Sequence, residues 1–186
     1  TKTFKMVAKV FYKNYKTKYC LTPSPLLQSM LNDLKINNEL LPLFTDLSKF
    51  KPIADKDEKQ KIRIKYGINN EAFVVSHMGH LNEGRNLRSL IKLQKAICQV
   101  VIVASSSTPI DSKGPNSIKQ ELEGNGIIII DRYIENIQEI YQLSDCYIFP
   151  VIEPNSSIGL PLSILEARAC GIPVITTDYG SVKQFL

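Results

Sequence analysis

A chain of 186 residues with 44% hydrophobic and 22% charged side chains has an ordinary globular composition. It is long enough for one domain, or one domain plus part of another, and disordered or collagen-like structure is excluded. No apolar run approaches the ~18 residues of a membrane span, no stretch has the layered form of a signal peptide, and six lysines with no acid in residues 1–20 make the +5 net charge a local feature.

Lysines at 2, 5, 9, 13 and 16, with Phe4, Val7, Val10 and Phe11 between them, predict a helix with a basic stripe over residues 1–18. Such a helix fits either the core of a larger domain or an anionic membrane surface. A short strand is expected at Tyr19 to Thr22. A helix follows from Pro23 and Ser24, with Leu26, Leu27, Met30, Leu31 and Leu34 on one inward face. A second extended piece, Leu40 to Phe44, leads into an irregular stretch that ends at Pro52, where a domain boundary is expected. Asp55 and Glu58 have the spacing of a capping box and open a charged helix that Gly67 ends.

From there strands and helices alternate. Strands are predicted over 72–76, 99–104, 126–130, 146–149 and 173–177, with helices over 87–97, 116–123, 136–143 and 162–170 between them. The strands are short, continuous and rich in Val and Ile, as suits strands buried on both faces. The fold class is therefore α/β, a doubly wound parallel sheet, in which ligands sit beyond the carboxyl ends of the strands. The remainder of the chain after residue 20 is nearly neutral, which argues against a nucleic-acid partner. Cys20, Cys98, Cys146 and Cys170 form no metal-binding cluster or disulfide framework; a reducing cytoplasm is expected, with Cys98 and Cys146 in or beside buried elements, Cys170 near a helix end against the sheet, and most of the thiols slow to react.

Two loops carry candidate chemistry. The first reads HMGHLNEGR, residues 77–85, where Gly79 and Gly84 permit close backbone approach, and His80 and Arg85 are donors beside the start of a predicted helix near Asn86. A guanidinium with free amide groups suits a phosphate or diphosphate, although read alone the loop more readily describes a surface Arg and a solvated His. The pattern is neither a P-loop nor a GxGxxG fingerprint. The second loop, residues 150–171, places Ser156, Ser157 and Gly159 before a helix with Pro161 in its first turn. Glu166 shares a helix face with Leu162, so its carboxylate could accept from two neighbouring hydroxyls such as a ribose diol, or simply face solvent.

The string GLPLSILEARACGIPVITTDYGSV, residues 159–182, resembles the donor-binding segment of the retaining GT-B glycosyltransferases of family 4. SDCYIFP is similar to the strand before that segment, and GHLNEGR to the loop that grips the donor diphosphate. CLTPSPLLQSMLNDL and FTDLSKFKP resemble the end of the first domain and the interdomain linker. The resemblance implies that Glu166 holds the ribose, that Arg85 with His80 binds the donor phosphates, and that the backbone from Gly159 through Leu160 to Leu162 faces the sugar diphosphate. It also implies a Rossmann-like donor domain over residues 53–186, truncated at its C-terminus, after the end of an N-terminal domain over 1–52. Two positions depart from the family pattern. Ile158 stands where a first Glu belongs, with Glu153 five residues early, and His80 stands where an Arg belongs.

The expected function is thus sugar transfer, with retention, from a nucleotide-diphosphate donor to a glycan or lipid-linked acceptor. The enzyme would be cytoplasmic, or peripheral to the inner face of a membrane through its basic segment. No catalytic residue is assigned, no metal site is visible, and no cofactor is expected beyond the nucleotide sugar as substrate. A nucleotide-sugar epimerase of similar architecture and a non-catalytic nucleotide-sugar-binding relative are the alternatives, the second kept open by Ile158.

Overall fold

The computed structural model describes residues 6–7, 10, 19–95, 97–105, 115–153 and 156–185. Met6, Val7 and Val10 are helical and exposed, and the rest of the predicted 1–18 helix lies outside the described residues.

Two parallel sheets form. In the smaller, β1 (Cys20–Thr22) pairs with β2 (Asn38–Leu40) in the register Cys20↔Asn38 to Thr22↔Leu40. The second strand thus lies earlier than the expected Leu40 to Phe44. Leu41 donates the last bond to the Thr22 carbonyl at 2.9 Å, and Pro42, with no N–H, cannot continue the ladder. The intervening Pro25–Asp33 helix is capped by Ser24, whose hydroxyl accepts from the Leu27 N–H at 3.2 Å. Of its expected inward face only Leu31 is buried and Leu26 is exposed, because a two-stranded sheet covers a narrow stripe of the helix.

The larger sheet contains β3 (Phe73–Gly79), β4 (Cys98–Ala104), β5 (Ile128–Ile130), β6 (Cys146–Phe149) and β7 (Val174–Thr176). They lie in the order β5-β4-β3-β6-β7, every pair parallel. Alternate residues supply the two faces. Val74, Val101, Val103 and Ile130 pack against Ile62 of the Lys56–Lys65 helix and Ile140 and Leu143 of the Gln138–Leu143 helix. On the opposite face Val100, Ile102 and Ala104 meet Leu87, Leu90, Ile118 and Leu122. Burial on both sides is why these strands read as unbroken apolar runs.

Three local features differ from expectation. Residues Leu87–Leu93 form a 3-10 helix rather than the start of an α-helix running to 97. The tighter winding sets Leu87 and Leu90 in one row over the sheet, and Leu93 is left exposed. Strand β3 runs three residues beyond Ser76, so His77 is a strand residue and not a loop residue. The capping box forms by half among the described residues. The Asp55 carboxylate accepts from the Asp57 N–H at 2.9 Å, and Glu58 makes no return bond.

Candidate functional site

Chain order reverses between β3 and β6: the connections run outward to β4 and β5 on one side, and to β7 on the other. The carboxyl ends of these two strands, and the loops that follow them, are where an open parallel sheet is expected to take a ligand. All the sequence-derived candidates except Glu166 lie on or against these two loops or at the start of the Leu162–Ala169 helix.

Arg85 ends a single 3-10 turn, Glu83–Arg85, whose Asn82 side chain accepts from the Arg85 N–H at 3.1 Å. The chain then leaves through Asn86 at a left-handed φ of 57°. This turn folds the Arg85 side chain back over the end of β3, where Gly79 has φ 149° and a Cβ would collide with the guanidinium. The positive φ favours glycine at 79, and a side chain there would displace the guanidinium. Arg85 is only 6% exposed. Its Nη2 lies 3.5 Å from the Ser157 hydroxyl, its Cζ stands 6.0 Å from the Phe149 ring centroid, and its Nε has no partner. No carboxylate among the described residues pairs with it. Burial lowers its pKa from the ordinary arginine value, yet a guanidinium remains charged in a protein. A buried cation without a counter-charge is costly unless an anion is brought to it.

The second loop is held against the first. Both the Ile152 and Glu153 N–H groups reach the Gly84 carbonyl at 3.3 Å, and a Cβ on Gly84 would collide with the Ser156 hydroxyl. Tyr179 fixes the other side. Its hydroxyl donates to the Ser157 carbonyl at 2.6 Å and accepts from the Ser157 N–H at 3.1 Å, while the Ser181 N–H bonds the Gly159 carbonyl at 2.8 Å. Leu160 is buried, so its contribution to a ligand is limited to backbone. The Leu162–Ala169 helix starts after Pro161 with no side-chain cap, which leaves the Leu162 and Ser163 N–H groups without intrahelical acceptors. Ile158 is 63% exposed in the middle of this loop.

His80 is tied to the segment that follows β4. Its Nδ1 lies 3.0 Å from the Ser105 carbonyl, so the proton is on Nδ1. The 3-10 form of residues 87–93, entered through left-handed Asn86, also removes the α-helix start expected beside this loop. Glu166 is half-buried, and its Oε2 accepts from the Tyr141 hydroxyl at 2.5 Å. Burial first, then the Tyr147 and Glu166 charges, push the Tyr141 phenol well above its ordinary pKa, so it is a permanent donor. Glu166 thus has one carboxylate oxygen fixed from behind and is neither freely solvated nor fully available.

Reasoning from sequence missed Tyr179, Tyr141 and His77. Tyr179 lies inside the matched string, but nothing in its spacing marks it as the residue that pins Ser157. Cys146 and Cys170 are buried, and burial raises the Cys170 thiol to about 11. Among the described residues no group of three or more His, Cys, Asp or Glu is placed to hold a metal ion, and no helix is long and apolar enough to cross a membrane.

Residues 72–186 match the family described as Glycosyl transferases group 1. The UDP-Gal:alpha-D-GlcNAc-diphosphoundecaprenol alpha-1,3-galactosyltransferase of Escherichia coli is 27% identical over 146 residues, 75% of this chain and 36% of its own length. The alpha-galactosylglucosyldiacylglycerol synthase of Streptococcus pneumoniae is 22% identical over 151 residues, 78% of this chain and 39% of its own. In fold, the chain resembles Anabaena Alr3699/HepE, solved with UDP and glucose, with a TM-score of 0.79 and 16% identity over 100% of this chain and 51% of that one. It also resembles the sucrose-phosphate synthase of Thermosynechococcus elongatus, with a TM-score of 0.74 and 20% identity over 99% of this chain and 46% of that one. The chain spans about half the length of these structures, and less of the curated relatives.

Proposed function

Because the chain belongs to the group 1 glycosyl transferases, we propose that it is the donor-binding half of an enzyme that moves a sugar from a nucleoside diphosphate to an acceptor. The observation that carries this reading is the buried Arg85 guanidinium, which has no carboxylate partner among the described residues and lies at the carboxyl ends of β3 and β6. Breaking the anomeric C–O bond develops negative charge on the leaving diphosphate. Arg85 and the uncapped start of the Leu162–Ala169 helix stabilise that charge from fixed positions. His80, its Nδ1 engaged by the Ser105 carbonyl, contributes less. The free oxygen of Glu166 takes a ribose hydroxyl while Tyr141 fixes the other. In this reading transfer proceeds with retention, as in family 4, and needs no metal cofactor. The acceptor is a glycan or a lipid-linked sugar, as the printed names of the relatives suggest, and the enzyme works in the cytoplasm or at the membrane's inner face.

Exposed Ile158 supports a second reading, a nucleotide-sugar-binding relative without transfer activity. Calorimetric titration with UDP, GDP and ADP tests what the two share. Saturable binding of at least one is expected, and binding of none would overturn both. Release of nucleoside diphosphate from the donor in the presence of acceptor, by the full-length protein, then separates them.

A further inference from the structure

We propose that His77 is a positioning residue for the diphosphate site, its imidazole bridging β3 to β6 where the backbone ladder between them ends and so seating Arg85 against Ser157. The inference rests on the reading of Arg85 given above. Strand β3 pairs with β4 over its whole length, to Gly79↔Ala104, but with β6 only at Val75↔Cys146 and Ser76↔Tyr147. The β3–β6 ladder stops at the residue before His77. At His77 a side chain takes over from the backbone, and the Nδ1–H donates to the Ile148 carbonyl of β6 at 2.9 Å. The Ile148 carbonyl, past the end of the backbone ladder, thereby has a partner on β3.

The imidazole is completely buried and lies nearly parallel to the Tyr147 ring, 6.3 Å away at 14°. The Phe149 ring, on the same face of β6 as Tyr147, stands 6.0 Å from the imidazole. Phe149 in turn has the Arg85 guanidinium at 6.0 Å and the Tyr179 ring at 6.1 Å, and Tyr179 holds Ser157. One contiguous set of rings therefore connects His77 to both ligand-facing loops. The residue type matters as well as the bulk. Burial, together with the Arg85 charge, keeps the imidazole neutral, so it supplies a donor without adding a second cation. His77 Nε2, an acceptor, and Arg85 Nε, a donor, are both buried and unfilled. A leucine or phenylalanine at 77 would fill the space but strand the Ile148 carbonyl.

The test compares His77→Leu, which removes the donor, with His77→Asn, whose amide N–H takes the place of Nδ1–H. Two readouts are taken on the whole chain: UDP affinity by calorimetry, and the Nε–H resonance of Arg85 in nitrogen-edited NMR. In His77→Leu an affinity loss of about tenfold is expected, in keeping with a buried acceptor left unsatisfied, together with a displaced Arg85 resonance. The Arg63 resonance should not move. His77→Asn should restore both readouts toward wild type. If His77→Leu does not fold, His77→Phe is read in the same way. An unmoved Arg85 resonance with unchanged UDP affinity in the donor-less variant overturns the proposal, and so does a folded His77→Asn that is as impaired as His77→Leu. Failure of the wild-type chain to bind UDP, GDP or ADP counts against the functional reading alone, because the Arg85 resonance reports on His77 without nucleotide.

Discussion

Two arginines are buried to nearly the same degree, Arg63 at 5% exposure and Arg85 at 6%, at opposite ends of the same sheet. Arg63 has a partner at each of its three guanidinium nitrogens. Its Nε bonds the Leu143 carbonyl at 3.0 Å, its Nη1 bonds the Asn70 and Ala72 carbonyls at 2.7 and 3.1 Å, and its Nη2 pairs with Asp145 at 2.7 Å. Asp145 also accepts from Lys59 and from the Val74 N–H, each at 2.7 Å. Burial alone would raise the Asp145 carboxyl, but these hydrogen bonds and the Lys59 and Arg63 charges hold it below its ordinary pKa. Arg85 has one long contact to a hydroxyl, an aromatic face and an unfilled Nε. Desolvation costs both side chains alike, and only Arg63 is repaid within the protein. A buried arginine answered at each nitrogen is a structural clamp, whereas under the function proposed above an unanswered one at the carboxyl end of a parallel sheet would take an anion.

The sharpest way to break this contrast is Arg63→Met. It strips partners from three carbonyls and from Asp145, and stability measured by urea unfolding should fall by about 3–5 kcal/mol. The nucleotide affinity of the folded protein should be unchanged. A loss of affinity with little loss of stability would reverse the roles assigned to the two arginines.

Acid separates the two ends next. Burial, with a contribution from Arg85, holds His77 near pKa 4, below its ordinary 6.5. The unfolded chain therefore takes up the proton first, and the stability this group contributes is full above pH 6.5 and is lost as pH falls toward about 4. The ceiling is about 3 kcal/mol. Other titrating groups, Asp145 among them, are common to wild type and His77→Asn. Wild type should therefore lose more stability than the variant between pH 7 and 4, and parallel curves would show that His77 is not buried neutral.

Arg85→Met should act on binding instead. Affinity for UDP and for inorganic diphosphate should drop by about 2 kcal/mol, the scale of hydrogen bonds to a charged group. Affinity for uridine should hold, and thermal stability should stay level or rise, because an unpaired buried charge has been removed. Equal losses for UDP and uridine would place Arg85 on the base or ribose. The smallest effect belongs to Glu166→Gln. Tyr141 keeps an acceptor, so the fold should hold, and nucleotide affinity should weaken by about 1 kcal/mol. Unaltered affinity would mean that Glu166 serves only Tyr141.

Much of the architecture was legible in the residues themselves. Runs such as Val100 to Ala104 and Cys146 to Phe149 are too short for helices and too apolar for surface strands, so a sheet covered on both faces follows from the sequence. Punctuation by Ser24, Asp55, Gly67 and Gly171 set element ends to within a few residues, since capping and left-handed turns are local physics. The errors fell where local signals gave way to contacts. Pro42 and a three-residue partner placed β2 earlier, and packing of Leu87 and Leu90 in one row selected a 3-10 helix over an α-helix.

The candidate site divides along the same line. Sequence alone pointed to Arg85, Gly79, Gly84 and the loop before Leu162, because residue types suited to an anion sit after strands. It could not tell Arg63 from Arg85, each being one arginine in a mixed segment. Arg63 meets Leu143 and Asp145 across 80 and 82 positions of chain, and His77 meets Ile148 across 71. Whether a buried charge is answered depends on groups that far away, so only the tertiary structure decided which arginine is answered within the protein and which is not.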